Sequence, residues 1–376
     1  MPKAFAAVAV VCCLLSVGAG GAAARQAVAA ADGPGALSHF DLARKDCLGT
    51  ARNTTSKVWY TVAGGVLSDV YYPTIDNTNV ETLQYVVTDG SSFTDLQTRD
   101  MTYSVESIDR SGMECRVTAN AKSGRYRIVT DYLTDPDRNT LLMRVRFEQP
   151  GRGAPLALYV RFDPTVNGNG GGGSGNGGAD SATIDTSTGN PVLVSSDPVT
   201  ATNAANRDYA QPVFAALDGP FSQASSGFVG APSDSLASPY TEAIGGNVVQ
   251  TARVSSRDGK PFTLALGFGA SQAEAVGAAA GSRASDFDKV EKNYTRGWKD
   301  YDKGLVKPST LDDAYYASAN VIKASEDKTF PGAIVARLTS PVDAAALRIS
   351  LRVSPFNERI ERGIGQRAKE SIIAEE

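Results

Sequence analysis

Between residues 57 and 269 the sequence is a succession of short β-branched and aromatic runs, each closed by turn residues such as Gly, Asp and Asn. Residues 101–108 and 126–133 alternate apolar and polar side chains, as a strand with one buried face does. No long helical period occurs among these runs. The pattern therefore predicts a mainly β chain in which residues 35–270 form one large antiparallel β-sandwich.

After residue 270 the period of the apolar residues changes from two to about 3.6. Ser271 and Glu274 have the spacing of a capping box, which predicts an alanine-rich helix that ends near residue 281. A second helix should follow, and we interpret its aromatic stripe as a packing face rather than a ligand site. The stripe consists of Phe287, Val290, Tyr294, Trp298 and Tyr301. Residues 271–307 are thus predicted to form a helical linker.

A further helix is predicted to start within residues 308–312, where Ser309 and Asp312 have the spacing of an N-terminal cap. Its apolar stripe is expected to be buried. That stripe consists of Leu311, Tyr315, Ala319 and Ile322. We expect residues 308–336 to form this helix and a turn, and residues 337–376, which mix short apolar runs with Arg and Glu, to form a divergent tail.

The first 30 residues have the composition of a signal peptide. Lys3 is followed by an apolar run over residues 4–17 and then by a stretch rich in small residues. The apolar run is too short for a transmembrane helix, which needs about 20 residues. The net charge is only −4 and no dense Lys/Arg run occurs. We therefore expect a secreted protein that binds neither nucleic acid nor membrane.

The cysteine and histidine content limits the kinds of disulfide, metal site and catalytic site that the sequence allows. Removal of the signal peptide leaves Cys47 and Cys115, which form either one disulfide or two separate small core residues. Two distant thiols do not make a metal site, so none is predicted. His39 is the only histidine, which argues against catalytic triads and HExxH zinc sites. Any hydrolysis would have to use carboxylates.

Four blocks of sequence resemble one known family. Three follow one another as Gly-Trp-Lys-Asp-Tyr at 297–301, Leu-Asp-Asp-Ala-Tyr-Tyr-Ala-Ser-Ala-Asn at 311–320 and Pro-Gly-Ala-Ile-Val-Ala at 331–336. The fourth is Tyr-Tyr-Pro-Thr-Ile-Asp at 71–76. Together they resemble the N-terminal region, the glucodextranase-like domain N, of bacterial glucoamylases and glucodextranases of glycoside hydrolase family 15. The resemblance extends roughly over residues 40–336.

This resemblance implies a galactose-mutarotase-like supersandwich, a helical linker and then an (α/α) barrel that carries two catalytic glutamates. The chain departs from the family pattern after residue 336, before any residue that matches those glutamates. We therefore expect a barrel truncated after its first helix, and we assign no catalytic residue. A frame change in the gene is the preferred explanation of the tail, and natural divergence is the alternative. A truncated chain should expose the aromatic face of the linker and be prone to aggregate.

The block at residues 71–77 supplies the carbohydrate-contact candidates. Tyr71 and Tyr72 offer flat apolar faces, and Asp76 and Asn77 offer hydrogen-bonding groups, a combination that suits a sugar ring. The alternative interpretation is that the tyrosines pack in the sheet and that Asp76 and Asn77 make a turn.

Three functions remain open at this point. The leading hypothesis is the non-catalytic N-terminal β-sandwich portion of a secreted α-glucan exo-hydrolase, and the alternative is a free-standing carbohydrate-binding module for α-glucans. An active glucoamylase is the third, and the missing barrel argues against it. We expect a monomer whose partner is an α-glucan oligosaccharide or polysaccharide. No cofactor is predicted, although Asp-rich turns would permit calcium.

Overall fold

The computed structural model describes residues 27–36, 44–150, 155–167, 180–197, 212–236, 238–307, 310, 312–335 and 338. Most of the predicted signal peptide, His39 and nearly all of the predicted tail lie outside the described residues. Within them, no helix is both long and apolar enough to cross a membrane.

Two antiparallel sheets form the body of the chain, so the predicted mainly β sandwich is confirmed. The first sheet has eight strands in the order β1-β2-β3-β4-β10-β16-β14, and β5 pairs with β4. These strands are β1 (Cys47–Thr50), β2 (Trp59–Ala63), β3 (Val66–Tyr71), β4 (Val80–Thr88), β5 (Thr94–Leu96), β10 (Ala157–Pro164), β14 (Phe221–Phe228) and β16 (Val248–Val254).

The second sheet has nine strands in the order β15-β11-β12-β13-β17-β9-β8-β7-β6. These strands are β6 (Met101–Ser107), β7 (Cys115–Ala121), β8 (Arg127–Thr134), β9 (Thr140–Glu148), β11 (Asp180–Asp185), β12 (Val192–Asp197), β13 (Val213–Asp218), β15 (Glu242–Gly246) and β17 (Phe262–Gly269).

The side chains of β9 show how the sequence divides between two cores. Leu141, Met143 and Val145 lie in the core between the two sheets. Leu142 points to the opposite face and belongs to a second core, which the helices cover. Because successive side chains of a strand alternate between faces, a strand covered on both sides is apolar at both sets of positions.

The helices are α1 (Gln97–Asp100), α2 (Gln272–Arg283), α3 (Phe287–Asp302) and α4 (Asp312–Ala324). The predicted capping box begins α2, because the Ser271 hydroxyl accepts a hydrogen bond from the Glu274 N–H at 3.3 Å. Helix α2 lies directly on β17 at Gly267. A Cβ at this position would stand 2.5 Å from backbone atoms of Ala275 and Ala279, so only glycine permits this close contact.

The aromatic stripe of α3 packs against the sandwich. Phe287, Val290, Tyr294 and Trp298 are all buried in the second core, and Tyr301 packs against its edge. This agrees with the interpretation of the stripe as a packing face. The expectation that a chain without a barrel exposes this face is wrong, because the outer face of the nine-stranded sheet and residues around Ala51 and Met113 cover it.

Helix α4 follows the predicted pattern only in part. Ala319 is fully buried, whereas Tyr315 and Ile322 are half-buried and Leu311 lies outside the described residues. The buried side also contains Asn320, whose side-chain amide donates to the carbonyl oxygen of Ser111 at 3.1 Å. One face of α4 therefore docks on the sandwich.

Candidate functional site

The family-like block at residues 71–77 forms the loop between β3 and β4. The Tyr72 N–H donates to the carbonyl oxygen of Asn77 at 3.0 Å, and the Asn77 N–H donates to the carbonyl oxygen of Thr74 at 3.2 Å. The peptide bond between Tyr72 and Pro73 is cis. These contacts close a compact turn whose side chains take different directions.

Three of the four carbohydrate-contact candidates lie in the interior. Tyr71 is 3% exposed, Tyr72 5% and Asn77 1%. The ring of Tyr72 stacks on Phe268, with centroids 5.3 Å apart. Only Asp76 is exposed, and it accepts a hydrogen bond from the Thr74 hydroxyl at 2.8 Å. Neither tyrosine offers a free ring face to a sugar, so the arrangement matches the alternative interpretation of packing and turn.

One side of this loop is fixed by a buried network of amides. The Asn77 side-chain amide donates to the Asn167 Oδ1 atom at 2.7 Å, and the Asn167 N–H donates to Asn79 Oδ1 at 2.9 Å. The Asn79 amide in turn donates to the carbonyl oxygen of Tyr72 at 2.8 Å. Next to Asn167, the Val166 N–H donates to Asp180 at 2.9 Å. Burial raises the pKa of Asp180 well above its ordinary value.

The other side of the loop contacts the segment after α4. The Ile75 N–H donates to Asp327 Oδ2 at 2.9 Å, and Asp327 Oδ1 accepts from the N–H groups of Thr329 and Phe330, each at 2.7 Å. The Trp59 indole donates to the carbonyl oxygen of Ala324 at 2.9 Å. The loop therefore ties the eight-stranded sheet to the end of α4. Sequence analysis missed Asp327, although an Asp followed by a Thr and a Pro-Gly pair is a turn signal.

A small cavity lies beside this contact, and we call it the junction cavity. Its volume is about 90 Å³. The residues that line it include Arg52, Trp298, Lys323, Glu326, Asp327 and Lys328. They come from the loop after β1, from α3, and from the end of α4 with the turn that follows it, so three separate segments meet here.

Two further carboxylates with raised pKa values, Glu114 and Asp163, lie in the interior. Glu114 is 2% exposed, and burial, with the nearby Glu291 carboxylate as the second cause, raises its pKa to about 8. Burial likewise raises the pKa of Asp163 to about 6, against the opposing effect of Arg161. A general acid must reach the bond that it protonates. Neither group lines the junction cavity or the groove described next, so we assign both a structural role.

An open groove of about 490 Å³ lies between the C-terminal part of α2, the end of β13 and the start of β17. Phe262 lines it beside the ion pair of Asp218 and Arg283, whose atoms are 3.3 Å apart. Its volume lies within the ~300–1,000 Å³ typical of small-molecule sites. An aromatic side chain beside polar groups is a combination that suits a sugar ring.

Cys47 and Cys115 are joined as a disulfide, with Cα atoms 6.4 Å apart. Cys47 begins β1 and Cys115 begins β7, so the bridge links the two sheets. In the described part of the chain no group of three or more His, Cys, Asp or Glu side chains is arranged to hold a metal ion.

Comparisons with known proteins agree with this architecture. Residues 30–303 match the family described as glucodextranase, domain N. A glucoamylase of Clostridium sp. (strain G0005) is 30% identical over 319 residues, which cover 84% of this chain and 43% of that protein. A bacterial glucoamylase solved with acarbose has a TM-score of 0.74 and 30% identity, covering 83% of this chain and 45% of that one. The chain thus spans less than half the length of these relatives.

Two packed antiparallel sheets, with helices on the outer face of one, define the chain as a β-sandwich protein with a helical extension. Because the family match covers more than half of its residues, the chain belongs to the glucodextranase domain N family. The resemblance expected from the sequence blocks is confirmed.

Proposed function

We propose that this chain is the non-catalytic N-terminal β-sandwich portion of a secreted α-glucan exo-hydrolase of the glucoamylase and glucodextranase kind. The observation that carries the proposal is the match to a bacterial glucoamylase over 83% of this chain, at a TM-score of 0.74. That enzyme was solved in complex with acarbose, which supports an α-glucan as the substrate class.

The arrangement of the carboxylates supports the non-catalytic part of the proposal. Hydrolysis by inversion requires two carboxyl groups on opposite sides of a glycosidic bond, with room for a water molecule. Glu114 and Asp163 have raised pKa values but are buried. In the junction cavity, Asp327 already accepts three backbone N–H groups and Glu326 is paired with Lys323. These acids are occupied by structural contacts.

Glucose release from soluble starch and from dextran tests this proposal directly. The purified chain should release no glucose above the level of a heat-denatured sample. Glu326→Gln is the matched variant, because it alters the carboxylate at the junction cavity. Release by the native chain that Glu326→Gln, or the amide variant of another of its own acids, abolishes would identify a working acid and overturn the proposal, whereas release that no such variant changes indicates a contaminating enzyme.

The secreted location is part of the same proposal and rests on the composition of residues 1–30. Expression of the full chain in a bacterium with a general export pathway should yield the shortened protein outside the cytoplasm. N-terminal sequencing should place its first residue near residue 30. Full-length protein that stays in the cytoplasm would contradict secretion.

A free-standing carbohydrate-binding module is the second candidate, and the open groove at Phe262 favours it. Calorimetric titration with the maltose and isomaltose series should then show saturable binding that Phe262→Ala abolishes. Phe330→Ala is the control, because Phe330 is an exposed aromatic residue that does not line the groove. Absence of binding to the wild-type chain would remove this candidate and leave the first in place.

A further inference from the structure

The junction cavity carries more positive charge than its surroundings balance. Arg52, Lys323 and Lys328 line it, together with Glu326 and Asp327. Its volume of about 90 Å³ is well above the ~15 Å³ that a single water molecule needs. It can therefore hold a molecule of several heavy atoms.

Both acids at the cavity are already engaged by other groups. The Asp327 carboxylate accepts from three backbone N–H groups, two of which belong to its own turn. Glu326 forms an ion pair with Lys323 and accepts from the Gly332 N–H at 2.9 Å. Glu326 thus offsets the charge of Lys323, and the charge of Asp327 acts on Lys328. Three cations and two carboxylates line the cavity, so one positive charge, that of Arg52, has no carboxylate to balance it there.

Arg52 is the residue whose bonding is incomplete. Its guanidinium lies over the ring of Tyr301, 4.7 Å from the centroid. Its Nε atom is buried and has no hydrogen-bond acceptor among the described residues, and no described carboxylate forms an ion pair with it. Burial lowers the pKa of Arg52. Arg52 as a whole is half-buried, but a buried N–H donor without an acceptor is unfavourable and indicates a missing partner.

Lys328 adds a second donor at the same place. Its ammonium group donates to the Thr50 hydroxyl at 2.5 Å and to the carbonyl oxygen of Ser56 at 2.6 Å. An ammonium group has three N–H donors, so these two bonds leave one, beside the ring of Trp59, whose centroid lies 5.0 Å from the nitrogen. Burial, followed by the nearby charge of Arg52, lowers the pKa of Lys328 well below its ordinary value. An anion in the cavity would relieve this repulsion between two cations.

We propose that the junction cavity is a binding site for a small oxyanion, a carboxylate or a phosphate-type group, with Arg52 as its main ligand. The planar guanidinium presents parallel N–H donors that match two oxygens of such a group. Lys328 supplies the second positive charge. A bound anion would bridge the loop after β1 and the turn after α4, and it would hold the helical segment against the sandwich.

Thermal unfolding in different anions tests the site. The wild-type chain, Arg52→Gln and the matched control Arg125→Gln are compared in phosphate, sulfate, acetate and chloride at constant ionic strength. Arg125 also lies over an aromatic ring, that of Phe93 at 4.8 Å, but it does not line the cavity. In the anion that binds, at a tenfold excess over its Kd, the melting temperatures of the wild type and of Arg125→Gln should be roughly 3 °C higher than in chloride. The melting temperature of Arg52→Gln should not differ between the two anions.

Phosphate and sulfate also stabilise proteins without binding, by exclusion from the surface. Equal gains in the wild type and in Arg52→Gln would therefore reveal this general effect and overturn the proposal. A gain in acetate but not in phosphate would assign a planar carboxylate, and the reverse would assign a tetrahedral anion. If Arg52→Gln does not fold, calorimetric titration of the wild type with phosphate and acetate decides, because no saturable heat with either anion overturns the site.

Discussion

Replacement of Trp298 by Ala should weaken the contact between α3 and the sandwich more than any single change on the surface. Trp298 is 1% exposed, and its indole donates to the carbonyl oxygen of Thr50 at 2.9 Å. Removing a large buried aromatic side chain costs about 3–5 kcal/mol. The stranded carbonyl group adds about 1 kcal/mol. We therefore expect a loss of about 4–6 kcal/mol in the free energy of unfolding, a large part of the ~5–15 kcal/mol of a typical domain.

Urea denaturation followed by far-ultraviolet circular dichroism measures this loss. Trp298→Phe keeps an aromatic ring and loses the hydrogen bond, so it should cost about 1–2 kcal/mol. Val321→Ala is the control, because Val321 is 38% exposed on α4 and its truncation should stay within about 0.5 kcal/mol of the wild type. A Trp298→Ala protein within about 1 kcal/mol of the wild type would mean that the stripe does not pack on the sandwich in solution.

Three further outcomes follow from other contacts. Gly267→Ala should lower the melting temperature, because the new Cβ would stand 2.5 Å from the backbone of α2. Gly277→Ala, whose Cβ would meet nothing within 4 Å, should stabilise the helix by up to about 1 kcal/mol. A similar effect of both changes would contradict the close contact at Gly267. Reduction of the bridge between Cys47 and Cys115, which are 68 residues apart, should cost about 4 kcal/mol, and mass spectrometry without reductant should find neither of these two cysteines as a free thiol. The raised pKa of Glu114, about 8 against an ordinary 4.5, means that the folded chain binds its proton more tightly than the unfolded chain. Stability should therefore fall by up to about 1.4 kcal/mol per unit as the pH rises from about 4.5 to 8, and Glu114→Gln should lack this component; identical pH profiles would contradict it.

The fold was predictable because local patterns carry it. Alternation at residues 126–133 predicted the strand β8 (Arg127–Thr134), and the capping box at Ser271 predicted the start of α2 (Gln272–Arg283). Both signals depend on residues that are neighbours along the chain. The aromatic stripe of α3 was predictable for the same reason, since a 3.6-residue period fixes which side chains share a face.

The candidate site was less predictable because its contacts are distant in sequence. Nothing near Tyr72 shows that Phe268 of β17 covers its ring. The partner of the Ile75 N–H is Asp327, which belongs to the segment after α4. Arg52 and Lys328 carry no motif, and they become a pair only when the loop after β1 meets that segment. A sequence pattern cannot predict such contacts between residues that are distant along the chain.

The loop at residues 71–77 has the residue types that suit a sugar ring, but its contacts show a structural role. Its amide network fixes it to the sandwich on one side, and the Ile75 N–H binds Asp327 on the other. Most of these bonds involve the backbone, so they set the position of the chain rather than offer side chains to a ligand. In the proposed function, the sandwich would orient the start of the helical region through this loop and the docked face of α3. The junction cavity lies beside both contacts, so an anion bound there would stabilise the same interface between the sandwich and the helical segment.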